Sequence, residues 1–415
     1  MNDQATRGDP SAFRLLQHGH RDMVSATAFN RYGNRFGTGS VDGTIKIHNK
    51  HKDGSWSICD TWSAHSSEIH QIQWLPVAIY PNLIASLAAD GKFKIWAEDP
   101  TISPGKGKRF NSWGNKTVFE LFSVSRSPYL SFSITHISLS RHTFLAIINR
   151  SGTVFIYEND EPENLDSWHE IDSFVVCEKP ARGEEISFKI AFDPNLNPTY
   201  TAILQGVPKD ALGLVVASMY TASVWRTREI TQCVSLGSTN TKEFYRAVEL
   251  KGHKGLVRDI AWAPGNIRGH DVIATVCKDG FLRIFNVLTP PKNMQKDEEM
   301  AINKEDVQIQ NQDPLFPQSV EAGIKRPSSS PGSEPVETPA TLEEKTNNKV
   351  LHIAKEVALL NMDEGRLPPW KVEFDADGTL LGSTSDDGKV CLWKRDINGT
   401  WAKYSELAMA KDDIT

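Results

Sequence analysis

Between residues 64 and 99 apolar and polar side chains come close to strict alternation, in three short runs parted by turn residues. A period of two marks a half-buried β-strand, and no run here has helical spacing. The pattern predicts strands over 69–74, 83–87 and 92–96, with Ala89-Asp90-Gly91 as the turn between the last two. Four residues form a set around these strands: His65, Ser86, Asp90 and Trp96. Their types and spacing predict a buried chain of hydrogen bonds in series, His to Asp to Ser and Trp, locking the incoming loop onto the third strand. Such a chain is stable only when every member has a partner.

The same marks return along the chain. Gly19-His20 precedes Thr38, Asp42-Gly43 and a strand over 44–48, and Gly252-His253 precedes Thr275, Asp279-Gly280 and a strand over 281–285. Near the end come Ser383, Asp387-Gly388 and a strand over 390–393 that closes on Trp393. In every copy a hydroxyl residue stands four places before the aspartate. Repeats of roughly 40–45 residues with these marks are the signature of a WD-repeat β-propeller, one four-stranded blade per repeat. The copies differ. His48 and Phe285 stand where tryptophan would, and Gly365 falls near the place of the last histidine. Two further blades are read from apolar content and period alone. One has strands over 133–139, 144–148, 153–157 and 168–172, the other over 187–192, 214–218, 223–225 and 245–250. The fold class is all-β, a six-bladed propeller.

Composition changes after Val287. Residues 289–349 are rich in Pro, Ser, Glu, Lys and Asn, hold 11 acidic and 7 basic residues, and contain one aromatic, Phe316. Such a stretch cannot bury enough apolar surface to fold by itself. The outer strand of the fifth blade resumes near 355–360, so the insertion sits between third and fourth strands. Ser330-Pro331 and Thr338-Pro339 within it fit proline-directed phosphorylation. The chain thus divides into a disordered N-terminus (1–12), a strand and blades 1–5 (13–288), a disordered acidic insertion (289–349), the end of blade 5 with blade 6 (350–407) and a tail (408–415).

Composition and charge exclude several functions. The formal net charge of -6 supplies no basic field for nucleic acid. Residues 1–12 lack the apolar core of a secretory signal, and no apolar run reaches the roughly 18 residues of a membrane helix. The 5 cysteines are scattered and form no CxxC pair, which reads as reduced thiols in an intracellular protein. Gly105-Lys106-Gly107-Lys108 lacks the spacing of a phosphate loop, and His18 with His20 is too little for zinc. His20, His65, His253, Asp42, Asp90, Asp279 and Asp387 each come with structural partners, so no catalytic pair or triad is left. No cofactor and no catalytic residue is expected. The chain reads as a scaffold.

The stretches GHRDMVSATAFNRYGNRFGTGSVDGTIKI at 19–47, IASLAADGKFKIWAEDP at 84–100 and TSDDGKVCLWK at 384–394 carry a closer likeness. With Trp-Ala-Glu-Asp-Pro after the second blade and Ala-Pro after Trp262, the chain resembles the nucleoporin family of the SEC-thirteen-homologue (Seh-one) type. The likeness covers nearly everything but the insertion. It departs in blades 3 and 4 and at Leu367-Pro368-Pro369-Trp370. The resemblance implies a non-enzymatic scaffold of the Y-shaped outer-ring complex of the nuclear pore, at the nuclear envelope, serving protein and mRNA transport. It implies an α-solenoid nucleoporin as partner, alongside other subunits of that complex. It also implies a second assembly on the cytoplasmic face of the vacuole or lysosome, regulating TOR signalling. Membrane association would come only through these assemblies, with no direct nucleic-acid binding. The alternatives are a vesicle-coat propeller of the SEC-thirteen type and a substrate receptor of a ubiquitin ligase.

Propellers usually close by letting one blade borrow a strand from the other chain end. Here blade 6 has four strands of its own, the last over 401–407, which leaves Phe13, Arg14, Leu15 and Leu16 without a blade. These four are expected as the outer strand of an unfinished seventh blade in an open propeller. Unpaired edges invite a partner's strand, and the resemblance implies completion in trans by the solenoid. The competing arrangement has residues 13–16 close blade 6 while 401–407 frays.

Overall fold

The computed structural model describes residues 16–105, 108–110, 117–123, 127–138, 140–234, 237–266, 268–291, 349–361 and 367–407, with backbone alone over 231–240. Six antiparallel four-stranded sheets make up this all-β fold, each blade a meander of consecutive strands. Blade 1 is β1 (Val24–Phe29), β2 (Arg35–Ser40), β3 (Thr44–Lys50) and β4 (Trp56–Ser63), and blade 2 is β5 (Ile69–Trp74), β6 (Leu83–Ala88), β7 (Lys92–Ala97) and β8 (Phe119–Phe122). Blade 3 is β9 (Tyr129–Ile137), β10 (His142–Asn149), β11 (Thr153–Asn159) and β12 (His169–Val175). Blade 4 is β13 (Phe188–Phe192), β14 (Gly213–Ser218), β15 (Thr221–Val234) and β16 (Gly237–Leu250). Blade 5 is β17 (Val257–Trp262), β18 (Asp271–Cys277), β19 (Phe281–Leu288) and β20 (Ile353–Asn361). Blade 6 is β21 (Pro369–Phe374), β22 (Leu380–Ser385), β23 (Val390–Arg395) and β24 (Trp401–Leu407). Two compact units divide the chain, Met1–Ser131 with blades 1 and 2 and the start of β9, and Phe132–Thr415 with the rest of blade 3 and blades 4 to 6.

The turns explain why the repeat keeps Asp-Gly. Gly43, Gly91, Gly280 and Gly388 all take positive φ, between 73° and 91°, at the hairpin joining second and third strands. Glycine reaches that region without steric cost. At Gly43 a side chain would also collide with the His65 carbonyl, because Ala64 and His65 both donate to the Gly43 carbonyl at 3.0 Å. Blade 4, which lacks the motif, makes its turn with Met219 at φ 54°.

Blades 1 and 2 share a core in which Ala26, Ile45, Ile47 and Trp62 meet Ile69, Ile72, Ile84 and Trp96. In the second unit Val224, Val248 and Leu250 meet Ile260, Ile273 and Phe285, and Ile284 and Leu282 meet Val372, Leu381 and Trp393. A bulge recurs between third and fourth strands of blades 1, 3, 4, 5 and 6, immediately before His48, Tyr157, Trp225, Phe285 and Trp393. An extra residue at the same place in successive repeats adds twist there.

Two strand expectations from the sequence need correction. Blade 3 starts at Tyr129, four residues before the predicted boundary. In blade 4 the third and fourth strands run 14 residues each, far past the short strands predicted, because β15 and β16 continue pairing beyond Arg226 where β14 has ended. One short helix, α1 (Tyr200–Leu204), lies between β13 and β14, capped by Thr199 whose hydroxyl accepts from the Ala202 amide at 3.2 Å. The last strand is no frayed tail. Trp401–Leu407 pairs with β23 from Arg395↔Trp401 to Val390↔Leu407. Phe13, Arg14, Leu15, Gly365 and the segments 1–12, 292–348 and 408–415 lie outside the described residues, while Leu16 is half-buried and in no strand.

Candidate functional site

In blade 2 all four set members meet. His65 Nδ1 lies 3.1 and 3.2 Å from the two Asp90 carboxylate oxygens, and His65 Nε2 lies 2.8 Å from Ser86 Oγ. Trp96 Nε1 donates to the same Ser86 Oγ at 2.9 Å. The order therefore differs from the one the sequence suggested. Histidine is in the middle: Trp96 donates to Ser86, Ser86 donates to His65 Nε2, and His65 Nδ1–H donates to Asp90. Burial raises the Asp90 carboxyl, but the hydrogen bonds from His65 and the Lys92 amide outweigh it and hold the group below its ordinary range.

The other copies keep parts of this chain. His20 Nε2 meets Thr38 Oγ1 at 2.8 Å, but its Nδ1 reaches Thr44 Oγ1 at 3.0 Å, and Thr44 in turn donates to Asp42 at 2.6 Å. Burial pushes the His20 imidazole down to about 4. In blade 5 His253 Nε2 meets Thr275 Oγ1 at 2.8 Å, while Asp279 turns to Arg283, whose Nη2 donates at 2.7 Å. Burial, then the Arg283 charge, push His253 down to about 4. Blade 6 has no histidine member, and Trp393 Nε1 donates to Ser383 Oγ at 2.8 Å while Asp387 binds the Ser385 hydroxyl.

At His48 the chain loses its last link. The ring is fully buried, stacks on Phe36 at 4.7 Å and 12°, and neither nitrogen has a partner. It belongs to a row the sequence reading missed. Ile45 and Ile47 point into the core shared with blade 2, so alternation puts His48 on the opposite face of blade 1. Register then aligns Phe29, Phe36, His48 and Ile58 across all four strands. Trp56 joins them, 4.9 Å from Phe36 and 6.1 Å from Phe29. Phe29 is 62% and Ile58 41% exposed. Phe36 and Trp56 are half-buried and His48 is covered, so the apolar surface that meets water lies at the two ends of the row, Phe29 and Ile58. Blade 6 has a weaker counterpart, since Leu381 and Trp393 face blade 5 and leave half-buried Leu380 and Leu392 on its other face.

A second feature had no sequence signal. Fully buried Arg226 on β15 donates to Asp193 at 3.1 Å and to Asp271 at 2.7 Å, and lies 5.1 Å over the Trp262 ring. Its Nε donates to His352 Nε2 at 3.4 Å, which leaves His352 Nδ1 as donor to Thr289 Oγ1 at 2.9 Å. Burial, then the Arg226 charge, push His352 down to about 3. Burial drives Asp271 up to about 7, since one guanidinium cannot compensate two buried carboxylates. Thr289 and His352 are the two roots of the insertion, so this cluster clips them together inside blades 4 and 5.

Among the described residues no group of His, Cys, Asp and Glu could hold a metal. Cys59, Cys177, Cys277 and Cys391 are free thiols, and burial raises each of them above its ordinary range. A pocket of about 440 Å³ at the blade 2 turn is lined by Asp90, Lys92, Glu120, Phe122, Ser123 and Ser127 among others, with no histidine or cysteine. No helix among the described residues is long and apolar enough to cross a membrane.

Six four-stranded blades, the repeated Asp-Gly turns and the Trp–Ser–His–Asp chain define a protein of the WD-repeat β-propeller class. The family model for the WD domain, G-beta repeat, matches residues 13–49, 245–286 and 366–394. The chain is 35% identical to Nucleoporin SEH1 of Chaetomium thermophilum, over 97% of this chain and 96% of that protein. It is 27% identical to Nucleoporin SEH1 of Saccharomyces cerevisiae over 91% and 93%, and 23% identical to Nucleoporin SEH1 of Homo sapiens over 94% and 86%. The chain belongs to the SEH1 family of nucleoporins.

Proposed function

We propose that this chain is a non-enzymatic scaffold of the nuclear pore that joins its assembly through the exposed face of blade 1. The observation that carries this reading is the row Phe29, Phe36, His48, Ile58 with Trp56. Neither blade 1 nor blade 6 borrows a strand, because each pairs four of its own. A partner that lays strands against the open face of blade 1 removes its apolar surface from water, and main-chain pairing at the blade edge fixes the register. The partner is an α-solenoid nucleoporin that completes the propeller in trans, with Phe13, Arg14, Leu15 and Leu16 contributing an outer strand to the completed blade. The protein acts at the nuclear envelope in protein and mRNA transport. Its second setting is the complex on the vacuole or lysosome that regulates TOR signalling. The Trp96–Ser86–His65–Asp90 chain and its partial copies in blades 1, 5 and 6 hold those blades rigid, so that the face is presented in one geometry.

The test is affinity purification of the full chain with identification of its partners by mass spectrometry, repeated with Phe13→Asp/Leu15→Asp. Pore-scaffold subunits are expected with the parent chain, together with subunits of the TOR-regulating complex, and the α-solenoid is expected to be depleted with the variant. Recovery of coat or ubiquitin-ligase subunits in place of pore subunits overturns the proposal.

A further inference from the structure

The loop between β13 and β14 holds apolar side chains out into water on a rigid base. Leu196 is 78%, Tyr200 70% and Leu204 61% exposed, and the last two share a face of α1 at i, i+4 spacing. The base is fixed from the next blade. Asn195 accepts from the Gly265 amide at 2.7 Å, Asn266 donates to the Asn197 carbonyl at 2.8 Å, and Thr201 donates to the Gly269 carbonyl at 2.5 Å. An apolar surface presented by an immobilised loop is already arranged for a contact, with little ordering left to do.

The other face of α1 touches the insertion root. Ala202 of α1 and Val207 pack with Val350, the second described residue after the insertion. Val350 is pinned by Tyr245, whose hydroxyl accepts from its amide at 3.1 Å and donates to its carbonyl at 3.2 Å. His352 and Thr289 tie the two roots to each other. The described root after the insertion, Val350, therefore lies against α1, and Thr289, the root before it, is tied to His352 two residues further on. The segment 292–348 holds a single aromatic, Phe316, joined to Leu315 and bracketed by Pro314 and Pro317.

We propose that residues 314–317 dock in cis on the Leu196/Tyr200/Leu204 surface, which holds the acidic insertion against the loop face of blade 4. Phe316 is 34 residues from Val350, and a coil of that length has a root-mean-square span of about 30–35 Å. Tethering at that reach gives an effective concentration in the millimolar range. A contact of two apolar side chains on two or three others is then enough for substantial occupancy. The segment cannot make a core of its own, and the propeller supplies the missing half.

Hydrogen–deuterium exchange on the full chain tests this. The amides of Ile203, Gln205 and Gly206 bond within the α1 turn and report its cover. Leu315→Ser/Phe316→Ser is expected to speed their exchange at least threefold with no change in the β-strands, and Tyr200→Ser/Leu204→Ser is expected to raise protease cleavage near 310–320. Unchanged exchange at 203–206 in the first variant, with no added cleavage in the second, overturns the proposal. So does protection that rises with protein concentration and survives Leu315→Ser/Phe316→Ser, which would mean that a second copy covers the surface.

Discussion

At the scale of single residues, the histidine in the middle of the blade 2 chain decides what each neighbour is worth. Asp90→Ala leaves the His65 N–H buried without an acceptor, while Ser86 keeps both His65 and Trp96. A buried donor without a partner costs about 1–3 kcal/mol, so the variant should melt several degrees below the parent at neutral pH. An unchanged melt would mean that the Asp90 bond carries no weight. The Asp90 carboxyl sits below its ordinary range, so its contribution is present above the unfolded pKa and lost as pH falls through the folded one. The gap between variant and parent should therefore shrink in acid. His20 and His253 act in the same direction over another window. Their folded values near 4 lie below the ordinary 6.5, so the unfolded chain binds more protons between these limits and stability falls as pH drops across them. Asp271 has the opposite sign. Its folded value near 7 lies above the ordinary 3.8, so its contribution is fully present below pH 3.8 and is lost as pH rises through 7. Asp271→Asn should gain in melting temperature relative to the parent at pH 8 more than at pH 5. An equal difference at both values would place the buried negative charge elsewhere.

Elements show which parts of the molecule were legible in the chain. The members of the blade 2 set were, because hydroxyl and Asp-Gly recur at fixed spacing in four blades; their bonding order was not, and Trp completes the pattern only in blades 2 and 6. The long β15–β16 hairpin was not, since period-two reading locates a strand but not where its neighbour stops. The Arg226 cluster was invisible for a related reason. Asp193, Arg226, Asp271 and His352 come from four separate places in the chain and repeat nowhere. The row on blade 1 alternates as any core-facing row does, and only its exposure in the fold distinguishes Phe29 and Ile58 from core residues. The insertion belongs to this scale too. Its roots are clipped by His352 and Thr289 and by Tyr245 on Val350, all within blades 4 and 5. Replacing 292–348 by a short Gly-Ser bridge should leave the propeller folded, because loop length changes closure entropy slowly. A soluble protein with native circular dichroism is the expected result, and loss of soluble protein would show that the blades need the segment.

For the whole molecule, this WD-repeat protein of the SEH1 family packs blade on blade through repeated rows, and the proposed binding face is the row of blade 1 turned from blade 2. Each packed pair of blades buries aliphatic and tryptophan side chains, and the face of blade 1 turned from blade 2 carries the same kind of row with Phe29 and Ile58 still in water. The most direct measurement is the affinity of the purified chain for the α-solenoid nucleoporin proposed as its partner, by titration calorimetry, parent against Phe29→Asp/Ile58→Asp. Both positions are already partly solvated, so the melting temperature should move by only a few degrees. The account predicts that the variant folds and binds at least tenfold more weakly. A folded variant that binds as tightly as the parent would contradict it.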